Sequence, residues 1–163
     1  MIFYGIDPGL SGGIARIDGS DIILSIMPTI KDPKKKTGRL YDIPSIRLLL
    51  DKDPINTFAT LEKAIAFPGM GVQTPFLTGY CQGIFEALFV ALGIQYQIVH
   101  PKSWGGSFFK DINKTDTKSA SIMVCKRLFP HINLIPENCK KPSDGLSDAL
   151  LICEYGKRMY ASK

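Results

Sequence analysis

Four acidic side chains in this sequence lie where separate elements of a fold could bring them together. Asp7 ends the first apolar segment of the chain, and Glu62 ends a later segment rich in β-branched and aromatic residues. If these two segments are neighbouring parallel strands, both carboxylates lie at the same edge of the sheet. Asp144 and Asp148 are four residues apart at the start of an expected helix and share one of its faces. The pattern predicts an acidic cluster built from three elements.

Clustered carboxylates repel one another unless a cation neutralises them. Mg²⁺ prefers oxygen ligands and keeps several waters. Two such ions, roughly 4 Å apart, can activate a water and stabilise the leaving 3′ oxygen of a phosphodiester. This chemistry needs no nucleophilic side chain, and the sequence has no convincing Cys–His or Ser–His arrangement. We therefore expect Mg²⁺ as the cofactor of a phosphodiester hydrolase.

Each acid also has a simpler explanation. Asp7 precedes Pro8-Gly9 and could only form a turn. Asp144 could interact with the dipole at the helix N-terminus. Asp148 could be an exposed helix residue. The combined placement of the acids favours the metal site over these alternatives.

The apolar periodicities predict an α/β fold. Three antiparallel strands followed by strand–helix alternation imply a mixed five-stranded sheet flanked by helices, in one domain over residues 1–163. The expected elements are strands at 2–7, 12–17 and 21–27, a basic loop at 31–39, a helix from Asp42 to about Leu50, a strand at 55–62, a helix at 75–92, a strand at 94–99, and helices at 117–129 and 143–159.

The helix expected at 75–92 is apolar almost all round, so we expect it to be buried on more than one side. Gly79, Gly83, Ala87 and Ala91 follow one another at a spacing of four. This stripe of small residues allows another backbone to approach closely. It predicts either tight packing on the sheet or a dimer interface.

The last helix must bury two sides. Leu146, Ala149, Leu150 and Cys153 form an apolar face nearly opposite the two acids of this helix. One side is expected against the sheet and the other against a neighbouring helix, which the sequence does not identify.

The charge distribution favours a polyanionic partner. Residues 1–100 carry nine basic and nine acidic residues, whereas residues 101–163 carry eleven basic and six acidic, so the whole net charge of +5 falls in the last third. A basic surface of this kind is expected where a protein binds nucleic acid.

Composition limits the other classes. No apolar run approaches the roughly 18 residues of a membrane span, so no membrane partner is expected. The strand at 2–7 leaves no room for a leader peptide. None of the four cysteines is in a CxxC pair and there are only two histidines, which argues against a zinc site. Cysteines within apolar helical patterns indicate a reducing environment, so we expect the cytoplasm of a bacterial or phage-infected cell, or an organelle form without its transit peptide.

At four places the residues resemble a known family, the RuvC-type Holliday-junction resolvases of the RNase H-like superfamily. Residues 4–15 (YGIDPGLSGGIA) resemble its opening motif, residues 61–68 (LEKAIAFP) its second acidic motif, and residues 141–152 (KPSDGLSDALLI) its closing motif. The middle, with VHPKSW at 99–104 and RLFP at 127–130, looks closest to the chloroplast and bacteriophage branch. The motifs occur in family order along nearly the whole chain.

The resemblance implies an RNase H-like fold and a homodimer, with helix 75–92 as the candidate interface. It implies two Mg²⁺ or Mn²⁺ ions per site and paired, symmetric nicks across a four-way DNA junction that leave 5′-phosphate and 3′-hydroxyl ends. Asp7, Glu62, Asp144 and Asp148 would be the metal ligands. The last two acids are four apart here, whereas the bacterial enzymes have them three apart, so the role of Asp144 is less secure than that of Asp148.

Basic and aromatic residues are expected to contact the DNA. Lysines would bind phosphates without reading sequence. Lys118 also matches a catalytically important lysine of the family near a helix start, where it could stabilise charge on the scissile phosphate. Phe67 could stack on a base at an opened junction or pack under its own loop. The lysine candidates are Lys102, Lys114, Lys118, Lys126, Lys140 and Lys141.

Two further residues near the fifth expected strand have structural interpretations. Trp104 is expected to anchor the core, and His100 is expected to be structural rather than a general base.

Three other functions remain open. The same scaffold could cut flaps or RNA–DNA hybrids with identical carboxylate chemistry. The glycine-rich segment after Asp7 also resembles the phosphate loop of actin-like ATPases and sugar kinases, but 163 residues leave no second lobe to close over a nucleotide. A junction-binding module without catalysis is the third alternative, and the presence of all four acids argues against it.

Overall fold

A computed structural model describes residues 1–50, 53–110 and 117–162 of the chain. Its strands are β1 (Ile2–Asp7), β2 (Gly13–Asp18), β3 (Asp21–Ile26), β4 (Thr29–Lys31), β5 (Arg39–Tyr41), β6 (Thr57–Glu62) and β7 (Gln95–Val99). Its helices are α1 (Ile43–Leu49), α2 (Gln73–Leu92), α3 (Pro101–Phe108), α4 (Thr117–Leu128) and α5 (Asp144–Ala161).

Five of the strands form one mixed sheet in the order β3-β2-β1-β6-β7. The first three strands are antiparallel, and β1, β6 and β7 run parallel. The predicted fold class is therefore confirmed. Because β1 lies in the middle and β6 beside it, the carboxyl ends of the two apolar strands meet at one edge of the sheet.

Helices cover both faces of the sheet. Successive side chains of a strand point to opposite faces, so Tyr4 and Ile6 of β1 belong to one core together with Phe85 and Phe89 of α2. Phe3 packs against the second core, which contains α4 and α5.

α5 packs unusually close to β1 and is also covered by helices. A methyl group added to Gly5 would overlap the backbone of Ala149 and Cys153, so only glycine permits this approach. On another side, the hydroxyls of Ser121 in α4 and Ser147 are 2.9 Å apart, and both are fully buried. The prediction that this helix buries two sides is confirmed, and α4 is a neighbour that the sequence left unidentified.

The segment expected as a loop at 31–39 is a loop over residues 32–38, but it connects two short strands, β4 and β5, that pair as a small hairpin. Thr29 pairs with Tyr41 and Lys31 with Arg39. The strands have only three residues each and no apolar alternation, so nothing in the sequence distinguished them from a loop. Asp32 closes the turn, because its main-chain N–H donates to the carbonyl of Gly38 at 2.8 Å.

α3 was also missed by the sequence analysis. His100 caps it by accepting a hydrogen bond from the Lys102 main-chain N–H at Nδ1, 3.2 Å away, and Pro101 stands in its first turn. Trp104 and Phe108, four residues apart, are its buried face. The helix is only eight residues long, which is too short for a clear periodicity. The structural role expected for His100 agrees with this cap.

The expectation that helix 75–92 is buried on more than one side is wrong. Cys81, Phe85 and Phe89 are buried, but Phe76 is 69% exposed and Val90 is 70% exposed. The error arose because both faces of α2 are apolar, so composition did not reveal which one faces the core.

The stripe of small residues lies on the exposed side of α2. Gly79, Gly83, Ala87 and Ala91 are all exposed. A methyl group added to Gly79 or Gly83 would meet no atom within 4 Å. Tight packing on the sheet, one of the two explanations offered for this stripe, is therefore excluded.

α2 also corrects the expectation about membrane spans. Among the described residues, this one helix is long and apolar enough to cross a membrane by length and composition. That criterion is weak for a helix of a folded domain, and the buried face of α2 packs in the core of the sheet.

Three of the cysteines are small core residues, as predicted. Cys81, Cys125 and Cys153 are buried, Cys139 is exposed, and all four are free. Burial raises the pKa of the Cys81 thiol and of the Cys125 thiol to about 12. Both therefore stay protonated and unreactive at neutral pH.

Candidate active site

The first two acids lie side by side at the carboxyl edge of the sheet. Ile6 of β1 pairs with Leu61 of β6 in the parallel register, and Asp7 and Glu62 are the next residues on each strand. The chain after Glu62 is held in place because the Lys63 main-chain N–H donates to Val99 at 2.8 Å.

The start of α5 brings the other two acids to the same edge. Ser143 caps the helix by accepting a hydrogen bond from the Leu146 N–H at 3.4 Å. A methyl group added to Gly145 would overlap the carbonyl of Ser11, so glycine allows the first turn to lie directly on the loop that follows Asp7. Asp144 and Asp148 flank this contact.

The electrostatics of Asp7 show that the four acids converge. Burial is the largest cause that raises the pKa of the Asp7 carboxyl well above its ordinary value of 3.8. The negative charges of the other three acids raise this pKa further, in the order Asp148, Glu62 and Asp144. Asp7, Asp144 and Asp148 also line one open groove of about 390 Å³. The convergence in space agrees with the sequence analysis, while the role of these acids as ligands stays a prediction.

The donor set fits a hard divalent cation. All four groups offer carboxylate oxygens, which Mg²⁺ prefers, and a cation would relieve the repulsion felt by Asp7. Among the described residues, no three His, Cys, Asp or Glu side chains are already arranged as a ready metal site. One of the four acids, Glu62, is held by a neighbouring side chain.

That neighbour is Trp104. Its indole Nε1–H donates to Glu62 Oε1 at 2.7 Å, and the ring is only 5% exposed. Burial raises the pKa of Glu62, while this hydrogen bond lowers it. Trp104 is buried in the core, as expected. Its hydrogen bond to Glu62 was not predicted, because the two residues are 42 positions apart in the sequence.

α2 fixes the segment that leaves Glu62. The side-chain oxygen of Gln82 accepts a hydrogen bond from the Ala64 N–H at 2.7 Å, and its amide donates to Glu86 at 2.7 Å. In the sequence, Gln82 and Glu86 are polar interruptions of the apolar stretch that forms α2. In the structure they tie the acidic edge of the sheet to the helix.

Arg39 is a second residue that the sequence analysis missed. It comes from β5, its guanidinium donates to the Ser11 hydroxyl at 3.1 Å, and it lines the same groove as Asp7 and Asp148. The signal available was an arginine at the end of a basic segment, which gave no indication that the segment lies beside the acids.

The structure describes the side chains of four of the six predicted DNA-contacting lysines. Lys102, Lys126, Lys140 and Lys141 are exposed. Lys118 lies in the first turn of α4, and Lys114 lies outside the described residues. The exposure of the four lysines does not test whether they contact DNA, so that role stays a prediction.

Phe67 is 58% exposed in the loop after β6. It therefore does not pack under its own loop, which was one of its two explanations. Its expected stacking on a base stays a prediction.

Two solved structures are similar to this chain over nearly its whole length. The structure of Thermus thermophilus RuvC in complex with a Holliday-junction substrate superposes with a TM-score of 0.62, 16% identity, and coverage of 99% of this chain and 95% of that one. A second Thermus thermophilus RuvC structure superposes with a TM-score of 0.58, 14% identity, and coverage of 98% and 97%. This chain has the RuvC fold. The RNase H-like architecture inferred from the sequence is therefore shown.

The RuvC likeness is one of structure rather than of sequence. No family model matches the chain, and no curated protein sequence matches it either. The expected closeness to the chloroplast and bacteriophage branch accordingly stays a prediction.

Proposed function

We propose that this protein is a metal-dependent endonuclease that resolves four-way DNA junctions by paired, symmetric nicks. The observation that carries the proposal is the convergence of four carboxylates from β1, β6 and α5. The other three acids raise the pKa of Asp7, and three of the four, Asp7, Asp144 and Asp148, line one open groove. Carboxylates this close together repel one another, and a bound divalent cation would relieve that repulsion.

The four acids would hold the cations, and the remaining residues would orient the reactants. Two Mg²⁺ ions, with Mn²⁺ as a substitute, supply activation of a water and stabilisation of the leaving oxygen. Trp104 holds Glu62 by its hydrogen bond. Lys118 would stabilise charge on the scissile phosphate. Asp7, at the centre of the set, is the acid whose loss would be most damaging.

A homodimer formed through α2 would match the two-fold symmetry of a four-way junction. Phe76, Tyr80 and Val90 leave an apolar face exposed beside the stripe of glycines and alanines. Two copies related by a two-fold axis bury the same patch on each subunit and present two acidic grooves to two strands. The junction bound by the RuvC of similar fold supports branched DNA as the partner.

Contacts outside the groove would hold the DNA. The exposed lysines at 102, 126, 140 and 141, with Lys114 and Lys118, would bind phosphates, and Phe67 would stack on a base near the junction centre. The natural location proposed is a reducing one, the cytoplasm of a bacterial or phage-infected cell, consistent with four free cysteines.

The test is cleavage of a synthetic four-way junction in Mg²⁺, with products mapped on all four strands. We expect symmetric, ligatable nicks in the wild type and none with Asp7→Asn, whose binding to the junction should persist. Asp21→Asn is the matched control, because Asp21 is exposed at the start of β3, at the opposite end of the sheet. Binding without metal-dependent cutting would favour a non-catalytic module, and cutting of flaps but not junctions would favour another nuclease.

A further inference from the structure

The β4–β5 hairpin, residues 29–41, is strongly basic. Five of its thirteen residues are Lys or Arg and one is acidic, which gives a net charge of +4. The sequence already shows a basic segment at 31–39, but acids elsewhere cancel its charge within residues 1–100, so the charge distribution gave it no partner. The basic residues of this hairpin are Lys31, Lys34, Lys35, Lys36 and Arg39.

The one acid of the hairpin does not neutralise the lysines. Asp32 is only 8% exposed, and its carboxylate accepts a hydrogen bond from the Lys34 main-chain N–H at 2.8 Å. The four lysines are exposed, form no ion pair within the described part of the chain, and line one shallow depression of about 430 Å³. The acid therefore shapes the turn while the positive charges stay available to a partner.

Arg39 places one end of the basic hairpin in the acidic groove. Among the described residues, the side chain of Arg39 makes one hydrogen bond, to Ser11, and Asp7 and Asp148 line the same groove. A guanidinium held beside the acids without pairing to them is positioned for an incoming anion, and guanidinium groups bind phosphate oxygens in a bidentate fashion.

The hairpin is fixed relative to the groove. The Tyr41 hydroxyl donates to the carbonyl of Leu77 in α2 at 3.0 Å, and the tyrosine is buried. Just before β4, the Met27 main-chain N–H donates to the carbonyl of Gly12 at 3.0 Å. The lysines therefore lie on a segment that is held beside the groove near both of its ends.

We propose that the basic hairpin is a DNA-backbone-binding element of the proposed nuclease site. Lys34, Lys35 and Lys36 bind phosphates of the duplex beside the cleavage point, and Arg39 contacts a phosphate in the groove itself. The inference rests on the proposed function for its substrate, but it concerns residues that neither the lysine candidates of the last third nor the four acids include.

The first test measures binding of a labelled four-way junction by fluorescence anisotropy over a range of salt, in the Asp7→Asn background. We expect the Lys34→Gln/Lys35→Gln/Lys36→Gln variant to lose at least about tenfold in affinity and to reduce the slope of log K against log salt by about 2–3, since each phosphate contact contributes about 0.9. Lys157→Gln is the matched control, because it lies thirteen residues beyond Asp144 on α5, roughly 20 Å along the helix.

The second test separates Arg39 from a general charge effect. In the otherwise wild-type chain, Arg39→Gln should reduce the slope by about 1 and slow cleavage of saturating junction at least about tenfold. Arg39→Lys should restore the salt slope but not the cleavage rate, because an ammonium cannot reproduce the bidentate contact. Thermal unfolding of each variant checks that the exposed substitutions leave the fold intact.

The outcomes distinguish this inference from the proposed function. Nicking that is unaffected by the hairpin variants, with binding equal to that of Lys157→Gln, overturns the inference and leaves the nuclease. Hairpin-dependent DNA binding without any nicking supports the inference and removes the nuclease. Absence of DNA binding, or hairpin-dependent binding to phosphatidylglycerol vesicles instead of DNA, overturns the inference.

Discussion

Trp104 donates its indole N–H to the carboxylate of Glu62 at 2.7 Å, and so a residue of α3 orients an acid at the end of β6. The hydrogen bond lies within the acidic edge of the sheet and is mostly shielded from solvent. In the proposed nuclease, this contact holds Oε1 of Glu62 in place, so that the carboxylate would meet a cation in one orientation.

Loss of that donor should weaken metal binding more than DNA binding. Trp104→Phe keeps an aromatic ring but removes the N–H, and partners of metal ligands typically contribute 10–100-fold in metal affinity or activity. We expect the Mg²⁺ concentration for half-maximal cleavage to rise by about tenfold or more, with junction affinity nearly unchanged. Phe109→Leu, which alters the ring that packs edge-on against Trp104, is the control for a packing effect alone. Equal Mg²⁺ dependence in wild type and Trp104→Phe would contradict the positioning role.

Asp7 should destabilise the metal-free protein at neutral pH. Asp7 has a higher pKa in the folded state than in the unfolded chain, so its ionisation lowers the stability of the fold at high pH. Below the unfolded-state pKa of about 4 the carboxyl is protonated in both states and costs no stability. Metal-free Asp7→Asn should therefore unfold at a higher temperature than the wild type at pH 7, and the difference should vanish as the pH falls toward 4. Each 1 kcal/mol shifts the Tm of a domain of this size by about 2–4 °C.

The same variant should lose its thermal response to metal. Mg²⁺ binds the folded acids and should raise the Tm of the wild type, whereas Asp7→Asn should show little or no increase. Differential scanning calorimetry with and without Mg²⁺ measures both effects. A wild type that is more stable than Asp7→Asn without metal at pH 7 would contradict the burial and repulsion assigned to Asp7.

The exposed stripe of α2 should be the dimer interface. At Gly83 an added Cβ atom meets nothing within 4 Å in one subunit, and the position is exposed, so Gly83→Arg should leave the monomer folded. In a dimer packed through the stripe, the same arginine would be forced into the partner helix. Sedimentation velocity should show a wild-type dimer and a Gly83→Arg monomer that makes single, unpaired nicks.

Gly106→Arg provides the matched control for that experiment. Its position in α3 is equally open, so it should remain dimeric. A monomeric wild type, or a Gly83→Arg protein that stays dimeric, would rule out this interface.

Gly145 should be far less tolerant than Gly79. Alanine at Gly145 would overlap the Ser11 carbonyl, which must push the first turn of α5 and its two acids away from Asp7. We expect a loss of about 1–3 kcal/mol in stability and a loss of cleavage. Alanine at Gly79 has open space and a better helix propensity, so Gly79→Ala should be neutral or stabilising by up to about 1 kcal/mol. Chemical denaturation and cleavage assays on both variants measure the contrast.

The sheet and the convergence of the acids could be predicted from the sequence for identifiable reasons. The central strands β1 and β6 are rich in apolar and β-branched residues, and each ends in an acid, Asp7 and Glu62. The Ser143 cap and the two acids that follow gave the start of α5 within one residue. Where apolar pattern and capping agree, local sequence is sufficient.

The missed features depend on contacts between distant segments. The basic hairpin has no apolar alternation, and what fixes it is the buried Tyr41 and the hydrogen-bonded turn at Asp32. The exposed face of α2 is as apolar as its buried face, so only the folded chain reveals which is which. The pairing of Trp104 with Glu62 needs the parallel register of β6 and β7, which no local pattern specifies.

The most direct measurement is anomalous diffraction from crystals grown with Mn²⁺ and a four-way junction, using Asp7→Asn as the comparison. We predict Mn²⁺ peaks within coordination distance of Asp7, Glu62 and Asp148, beside a phosphodiester of the junction, and loss of those peaks in the variant. Peaks elsewhere on the protein, or Asp148 turned away from an ion bound at Asp7 and Glu62, would contradict the account.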